Sequence, residues 1–150
     1  MAIVANPDPA ALAELPQLRW VHSVWAGVER LLAEIDNPKL HIVRLVDPQL
    51  AETMAEAVLA WTLYIHRDMP QYARQQRQQL WQAQDYVRPQ AKTVGLLGLG
   101  TLAQAAAKSL LAANFNVCGW SRSPKQLAQI DCHTGEAGLA TLLAKNDILV

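Results

Sequence analysis

The sequence predicts an α/β protein on parallel sheets: a partial first domain, a long joining helix and the first half of a second domain. Three observations predict it. Short apolar runs alternate with helical patterns over the first 45 residues. The stretch 49–68 is apolar on more than one face. Residues 93–103 read TVGLLGLGTLA, an apolar run, two glycines and then a helical pattern.

The elements follow in order. Residues 3–5 form a short strand, followed by the turn Asn6, Pro7, Asp8, Pro9. Residues 10–15 form a helix that Pro16 ends. Residues 18–24 form a second strand, Trp25, Ala26 and Gly27 a tight turn, 28–35 a helix and 41–45 a third strand. Strand and helix in alternation imply a parallel sheet covered on both faces. The helix 49–68 carries Met54, Val58, Leu59, Trp61, Leu63 and Ile65 around its circumference, so two sides are expected to be buried. One side packs on its own domain, and the other points to a second subunit. Pro70 breaks or kinks the helix. Residues 71–84 continue as a glutamine-rich helix with Arg74 and Arg77 exposed, anchored by Trp81 and Tyr86. Residues 1–84 are thus the first domain with its long helix, 85–92 (with Pro89) a linker, and 93–150 the second domain.

The second domain opens with a buried strand at 94–97, the turn Gly98, Leu99, Gly100, and a helix patterned by Leu102, Ala105, Ala106, Leu110 and Leu111. A second strand spans 115–120. An irregular stretch runs through Asp131, Cys132 and His133, a helix covers 137–144, and a last strand begins near Asp147. This is the order in which a dinucleotide-binding βαβ unit presents its phosphate site. Gly98 can take backbone angles that a Cβ forbids. Gly100 lets a diphosphate approach the main chain, and the free N–H groups of Thr101 and Leu102 face the anion with the helix dipole behind them. Ala103 stands where the third glycine usually does, and a methyl still allows close packing. A strand, turn and helix without a ligand has the same pattern, so the motif alone leaves both readings open.

Sites selective for NAD carry an Asp or Glu about 20 residues past the glycines, hydrogen-bonded to the adenosine ribose. Here that place holds Ser121, Arg122 and Ser123, with Lys125 close by. A carboxylate would repel a 2′-phosphate, whereas a guanidinium and two hydroxyls would bind it. The expectation is NADP(H) in preference to NAD(H), against the plainer alternative of a surface arginine on an exposed loop.

Composition narrows the partners. Half of the 150 residues are apolar, and Lys plus Arg equals Asp plus Glu at 13 each, which argues against nucleic acid held by bulk electrostatics. No apolar run reaches the roughly 20 residues that cross a bilayer. The first basic residue is Arg19, so the basic start of a secretory leader is missing. Two cysteines, Cys118 and Cys132, without metal-type spacing suit a reduced cytoplasmic protein. His22, His41, His66 and His133 are scattered, without paired ligand spacing. The chain stops inside an apolar run at Val150, which reads as a fragment of something longer.

Four stretches, VHSVWAGVERLL (21–32), ETMAEAVLAWTLYIHRDM (52–69), KTVGLLGLGTLAQAAAKSL (92–110) and VCGWSRSPK (117–125), resemble the D-2-hydroxyacid dehydrogenase family in sequence, order and spacing. The nearest resemblance is to its glyoxylate/hydroxypyruvate reductase branch. The resemblance implies a flavodoxin-like substrate domain and a Rossmann domain. It makes 49–68 the helix that links the domains and builds a homodimer. It implies hydride reduction of small 2-oxo acids. It gives the main-chain N–H groups of Trp25, Ala26 and Gly27 the substrate carboxylate; from the residues alone that stretch also reads as a glycine turn with Trp25 in the core. It gives Gly98, Gly100, Thr101 and Leu102 the diphosphate and Ser121, Arg122 and Ser123 the 2′-phosphate, and it places Met54 near the nicotinamide. The family's catalytic Arg, Glu and His fall beyond Val150, so the 150 residues alone are expected to be inactive. A non-catalytic dinucleotide-binding protein, or an inactive truncated product, fits the same residues.

Overall fold

Parallel pairing organises both halves of the chain, as alternating strands and helices require. The computed structural model describes residues 1–150. It divides into two compact units, Met1–Asp47 and Pro48–Val150.

The first unit holds β1 (Ala2–Val4), α1 (Pro9–Ala13), β2 (Trp20–Ser23), α2 (Glu29–Glu34) and β3 (His41–Arg44), with the strands side by side in chain order. Asp8 caps α1 by accepting the Ala10 N–H at 3.2 Å, and Pro9 opens the helix where its missing N–H costs nothing. Leu12, Val21 and Leu31 are the buried centre, wrapped by Val4, Leu18, Val28, Ile35, Leu40 and Ile42.

The second unit holds α3 (Pro48–His66), α4 (Met69–Arg77), a 3₁₀ turn (Pro89–Ala91), β4 (Thr93–Leu97), α5 (Thr101–Ala112), β5 (Asn116–Trp120), β6 (Asp131–His133), α6 (Gly135–Lys145) and β7 (Ile148–Leu149). Its sheet runs β6-β5-β4-β7. The chain moves outward from β4 to β5 and β6, then crosses back to pair β7 on the other side of β4. That reversal leaves a crevice at the C-terminal end of β4, where α/β sheets hold ligands. Val94, Leu96, Leu99, Ala107, Leu110, Phe115 and Val117 form the core. Val58 and Leu59 of α3 pack against it, so by its contacts the long helix groups with this unit. Beside that packed face of α3, Trp61 and Ile65 remain more than half exposed.

Three local expectations need correction. The glutamine-rich helix ends at Arg77, not 84. Gln79 takes φ 55°, and the N–H groups of Gln79 and Leu80 return to the carbonyls of Gln76 and Gln75. This is a Schellman stop, usually signalled by glycine; a glutamine there concealed it. Trp81 is fully exposed and anchors nothing. Tyr86 does anchor the segment, edge-on to His66 at 6.1 Å and under the Arg67 guanidinium at 5.0 Å. Residues 131–133, expected to be irregular, pair with β5 as the edge strand β6. The chain breaks between α3 and α4 at Asp68 (φ 54°), leaving Pro70 in the first turn of α4.

β7 is tied to β4 by charge as well as by backbone. Lys92 Nζ meets Asp147 Oδ1 at 2.7 Å, and the Thr93 N–H donates to Asp147 Oδ2 at 2.9 Å. The lysine, then the amide, hold the Asp147 carboxyl below its ordinary value. Its contribution to stability is therefore complete above the unfolded value, about 3.9, and is lost as pH falls through the lower folded one. Asp147→Asn is expected to destabilise the chain at pH 7 by about 0.5–1 kcal/mol, the range of a partly exposed pair. Urea titrations should also show less acid-induced loss below about pH 4 than in the unmodified chain. Identical acid limbs in the two proteins would exclude this role for Asp147.

Candidate functional site

The candidate site lies at the C-terminal end of β4, where the loops after β4 and β5 leave neighbouring strands. Leu97 and Trp120 are register partners at the ends of β4 and β5, and the Gly98 N–H donates to the Trp120 carbonyl at 2.9 Å. One residue further on, the glycine turn and the loop beginning at Ser121 run side by side.

Gly98 takes φ +124°, a conformation that a side chain would strain, and it turns β4 into α5. Gly100 is the residue before the helix, in extended geometry, and a Cβ built on it would meet nothing within 4 Å. No side chain caps α5. The N–H groups of its first turn, at Thr101, Leu102 and Ala103, therefore have no helical acceptor and face the open side of the turn. Thr101 and Leu102 are both exposed, whereas Leu99 is buried and Ala103 packs on the core. The four residues expected to cradle a diphosphate are thus together at one helix end; the Gly98 N–H is spent on the Trp120 carbonyl, and the donors left open are those of Gly100, Thr101 and Leu102.

The second loop divides its labour. Ser121 is buried and donates its hydroxyl proton to the Ser123 carbonyl at 2.7 Å, so it shapes the turn. The Arg122 carbonyl accepts from Thr134 Oγ1 at 3.3 Å, which holds its backbone, while its side chain is exposed and makes no hydrogen bond or ion pair. Ser123 is exposed. No acidic residue stands between Trp120 and Asp131. A contact that motif reading did not supply also closes across the crevice: Lys125 Nζ donates to the Leu99 carbonyl at 2.8 Å. Gln104 Nε2 reaches the same carbonyl at 3.0 Å. The only sequence signal for it was the nearness of Lys125 to the arginine.

The other candidate turn lies in the first unit, after β2. Ser23 Oγ accepts the Trp25 N–H and donates to the Trp25 carbonyl, both at 3.1 Å. Arg44 braces the Ala26 carbonyl at 3.0 Å. Trp25 is more than half exposed, so it is not a core residue. Of the three amides expected to face a carboxylate, that of Trp25 is already occupied, leaving those of Ala26 and Gly27. A Cβ on Gly27 would stand 3.1 Å from the Glu29 carboxylate, which places an acid beside this turn.

Beneath the crevice, Cys118 is buried in β5 and donates its thiol to Asn146 Oδ1 at 2.7 Å; burial pushes the thiol up. Cys118 therefore packs as a small apolar residue. Both cysteines are free.

Residues 59–150, more than half of the chain, match the family described as D-isomer specific 2-hydroxyacid dehydrogenase, NAD binding domain. Among curated proteins, the glyoxylate/hydroxypyruvate reductase A of Yersinia enterocolitica is 32% identical, over 99% of this chain and 50% of its own length. That of Serratia proteamaculans is 33% identical over the same shares. The chain spans about half the length of the curated relatives it matches. A D-isomer specific 2-hydroxyacid dehydrogenase from Xanthobacter autotrophicus, solved with NADPH and MES, superposes with a TM-score of 0.89 at 37% identity, over 98% of this chain and 47% of the other. The NADPH-dependent glyoxylate/hydroxypyruvate reductase of Sinorhizobium meliloti, solved with NADP and sulfate, gives a TM-score of 0.86 at 32% identity, over 98% and 46%. With a matching family domain across β4, the glycine turn, α5 and β5, the chain belongs to the D-isomer specific 2-hydroxyacid dehydrogenases.

Proposed function

We propose that this chain supplies the cofactor site and part of the substrate site of an NADPH-dependent reductase that converts 2-oxo acids such as glyoxylate and hydroxypyruvate to 2-hydroxy acids. The observation that carries the reading is the uncapped start of α5 beside an exposed, unpaired Arg122. Gly100, Thr101 and Leu102 hold the diphosphate by main-chain N–H groups, and Gly98, whose own N–H is bonded to the Trp120 carbonyl, makes the turn that brings the diphosphate to them. Arg122 and Ser123 take the 2′-phosphate, and Ser121 sets the loop that presents them. The cofactor supplies hydride for a carbonyl carbon. The residues of this chain orient it and fix which nucleotide is accepted. The amides of Ala26 and Gly27 hold the substrate carboxylate, and Met54 flanks the nicotinamide. The printed names of the Yersinia and Serratia relatives, and the NADPH and NADP bound in the two solved structures, support the substrate class and the cofactor.

Two further readings belong to the same proposal. The exposed Trp61 and Ile65 on α3 offer an apolar face for a second copy, a homodimer through 49–68. The unpaired cysteines favour a reducing, cytoplasmic setting.

A non-catalytic dinucleotide-binding protein is the second reading. The occupied Trp25 amide and the Glu29 carboxylate beside Gly27 favour it, since both weaken the turn as an anion site. Turnover separates the two. With NADPH and glyoxylate or hydroxypyruvate, the full-length parent protein is expected to oxidise NADPH, and the 150-residue chain to bind NADPH without turnover. A parent that binds NADPH and reduces neither acid would favour the second reading.

The cofactor preference has its own test. A charge-assisted contact is worth about 1.5–3 kcal/mol, so Arg122→Asp is expected to lower the ratio of NADPH to NADH affinity roughly ten- to a hundredfold. Fluorescence titration with both nucleotides measures it, and an unchanged ratio would remove Arg122 from the 2′-phosphate site.

A further inference from the structure

Leu99 sits between the two glycines and faces the opposite way. Its side chain is 1% exposed, and a Cβ on Gly119 of β5 would collide with it. The leucine is thus seated on the neighbouring strand. Its carbonyl takes both the Gln104 amide from within α5 and the Lys125 ammonium from the loop after β5. A peptide unit is planar and trans, so a carbonyl held on one side sends the next N–H to the other. The next N–H is that of Gly100, whose Cβ position looks into open space and whose helix has no capping side chain. Whatever fixes the Leu99 carbonyl therefore also aims the Gly100 donor.

We propose that Lys125 is a positioning residue that, with Gln104, clamps the Leu99–Gly100 peptide plane and keeps the Gly100 N–H directed at the diphosphate. The clamp also ties the nucleotide-selecting loop to the glycine turn, so that the two halves of the cofactor site are set as one unit. The inference rests on the dinucleotide reading above, and it gives Lys125 a role distinct from that of Arg122. A clamp serves the diphosphate, which NADPH and NADH share. A ligand of the 2′-phosphate serves NADPH alone.

The test is a fluorescence titration of the 150-residue chain and its Lys125→Met, Lys125→Arg and Gln104→Met variants with NADPH and with NADH, alongside the Tm of each ligand-free protein. Lys125→Met is expected to weaken both nucleotides by the same factor, roughly three- to tenfold for one hydrogen bond, with Tm unchanged. Lys125→Arg, which keeps a cationic donor, should recover most of the loss, and Gln104→Met should weaken both nucleotides again. Loss confined to NADPH would make Lys125 a 2′-phosphate ligand and overturn the clamp. Unchanged affinities would overturn it too, as would a fall in Tm that Lys125→Arg does not repair. An unmodified chain that binds neither nucleotide would overturn the dinucleotide reading itself.

Discussion

A helix must begin somewhere, and the first N–H groups of its opening turn have no carbonyl behind them. Proteins usually satisfy one with a Ser, Thr, Asp or Asn side chain, as Asp8 does for α1. α5 starts at Gly100 with no such side chain. Its opening donors are left for solvent or a ligand, at the end with the positive dipole. The remainder of the second unit keeps that helix end open and in place. Gly98 makes the turn that only glycine takes comfortably, and Leu99 roots the turn in the core. The order β6-β5-β4-β7 puts the opening where the crossovers part on either side of β4.

In the proposed function, selectivity is a separate layer placed next to the first. The loop after β5 lies beside the glycine turn because Leu97 and Trp120 are partners in register. Its serines and arginine are not equivalent. One hydroxyl is spent on the loop's own shape, and the guanidinium is left without a partner. Charge reaches this corner from cations alone, since no acid stands between Trp120 and Asp131. On the function proposed above, such an asymmetry would favour a ribose phosphate over a ribose hydroxyl.

What the sequence revealed followed from strong local physics. The glycine turn, the strands around it and the buried faces of α3 and α5 were legible because periodicity and glycine geometry encode them directly. Signals carried by unusual residues were missed. α4 ends at Arg77 in a stop whose left-handed residue is Gln79, and α5 ends in the same kind of cap at Asn114 (φ 66°), with the Phe115 N–H returning to the Leu110 carbonyl. β6, an Asp, a Cys and a His, has little strand propensity and exists because β5 offers it an edge. Trp81 lies outside the core because the early helix stop carries it away. At the site, the glycines and the arginine were visible as motifs, but the internal bond of Ser121, the occupied Trp25 amide and the Lys125 contact depend on three-dimensional closure that spacing does not encode.

The central claim is that the main-chain N–H groups at the start of α5 are the anion-binding element. Backbone amide chemical shifts of the 150-residue chain, followed by NMR as NADPH is added, test it most directly. The account predicts the largest, saturable shifts at Gly100, Thr101 and Leu102, with a second group at Arg122 and Ser123. Shifts centred elsewhere, with the amides of residues 98–102 unmoved at saturation, would contradict it.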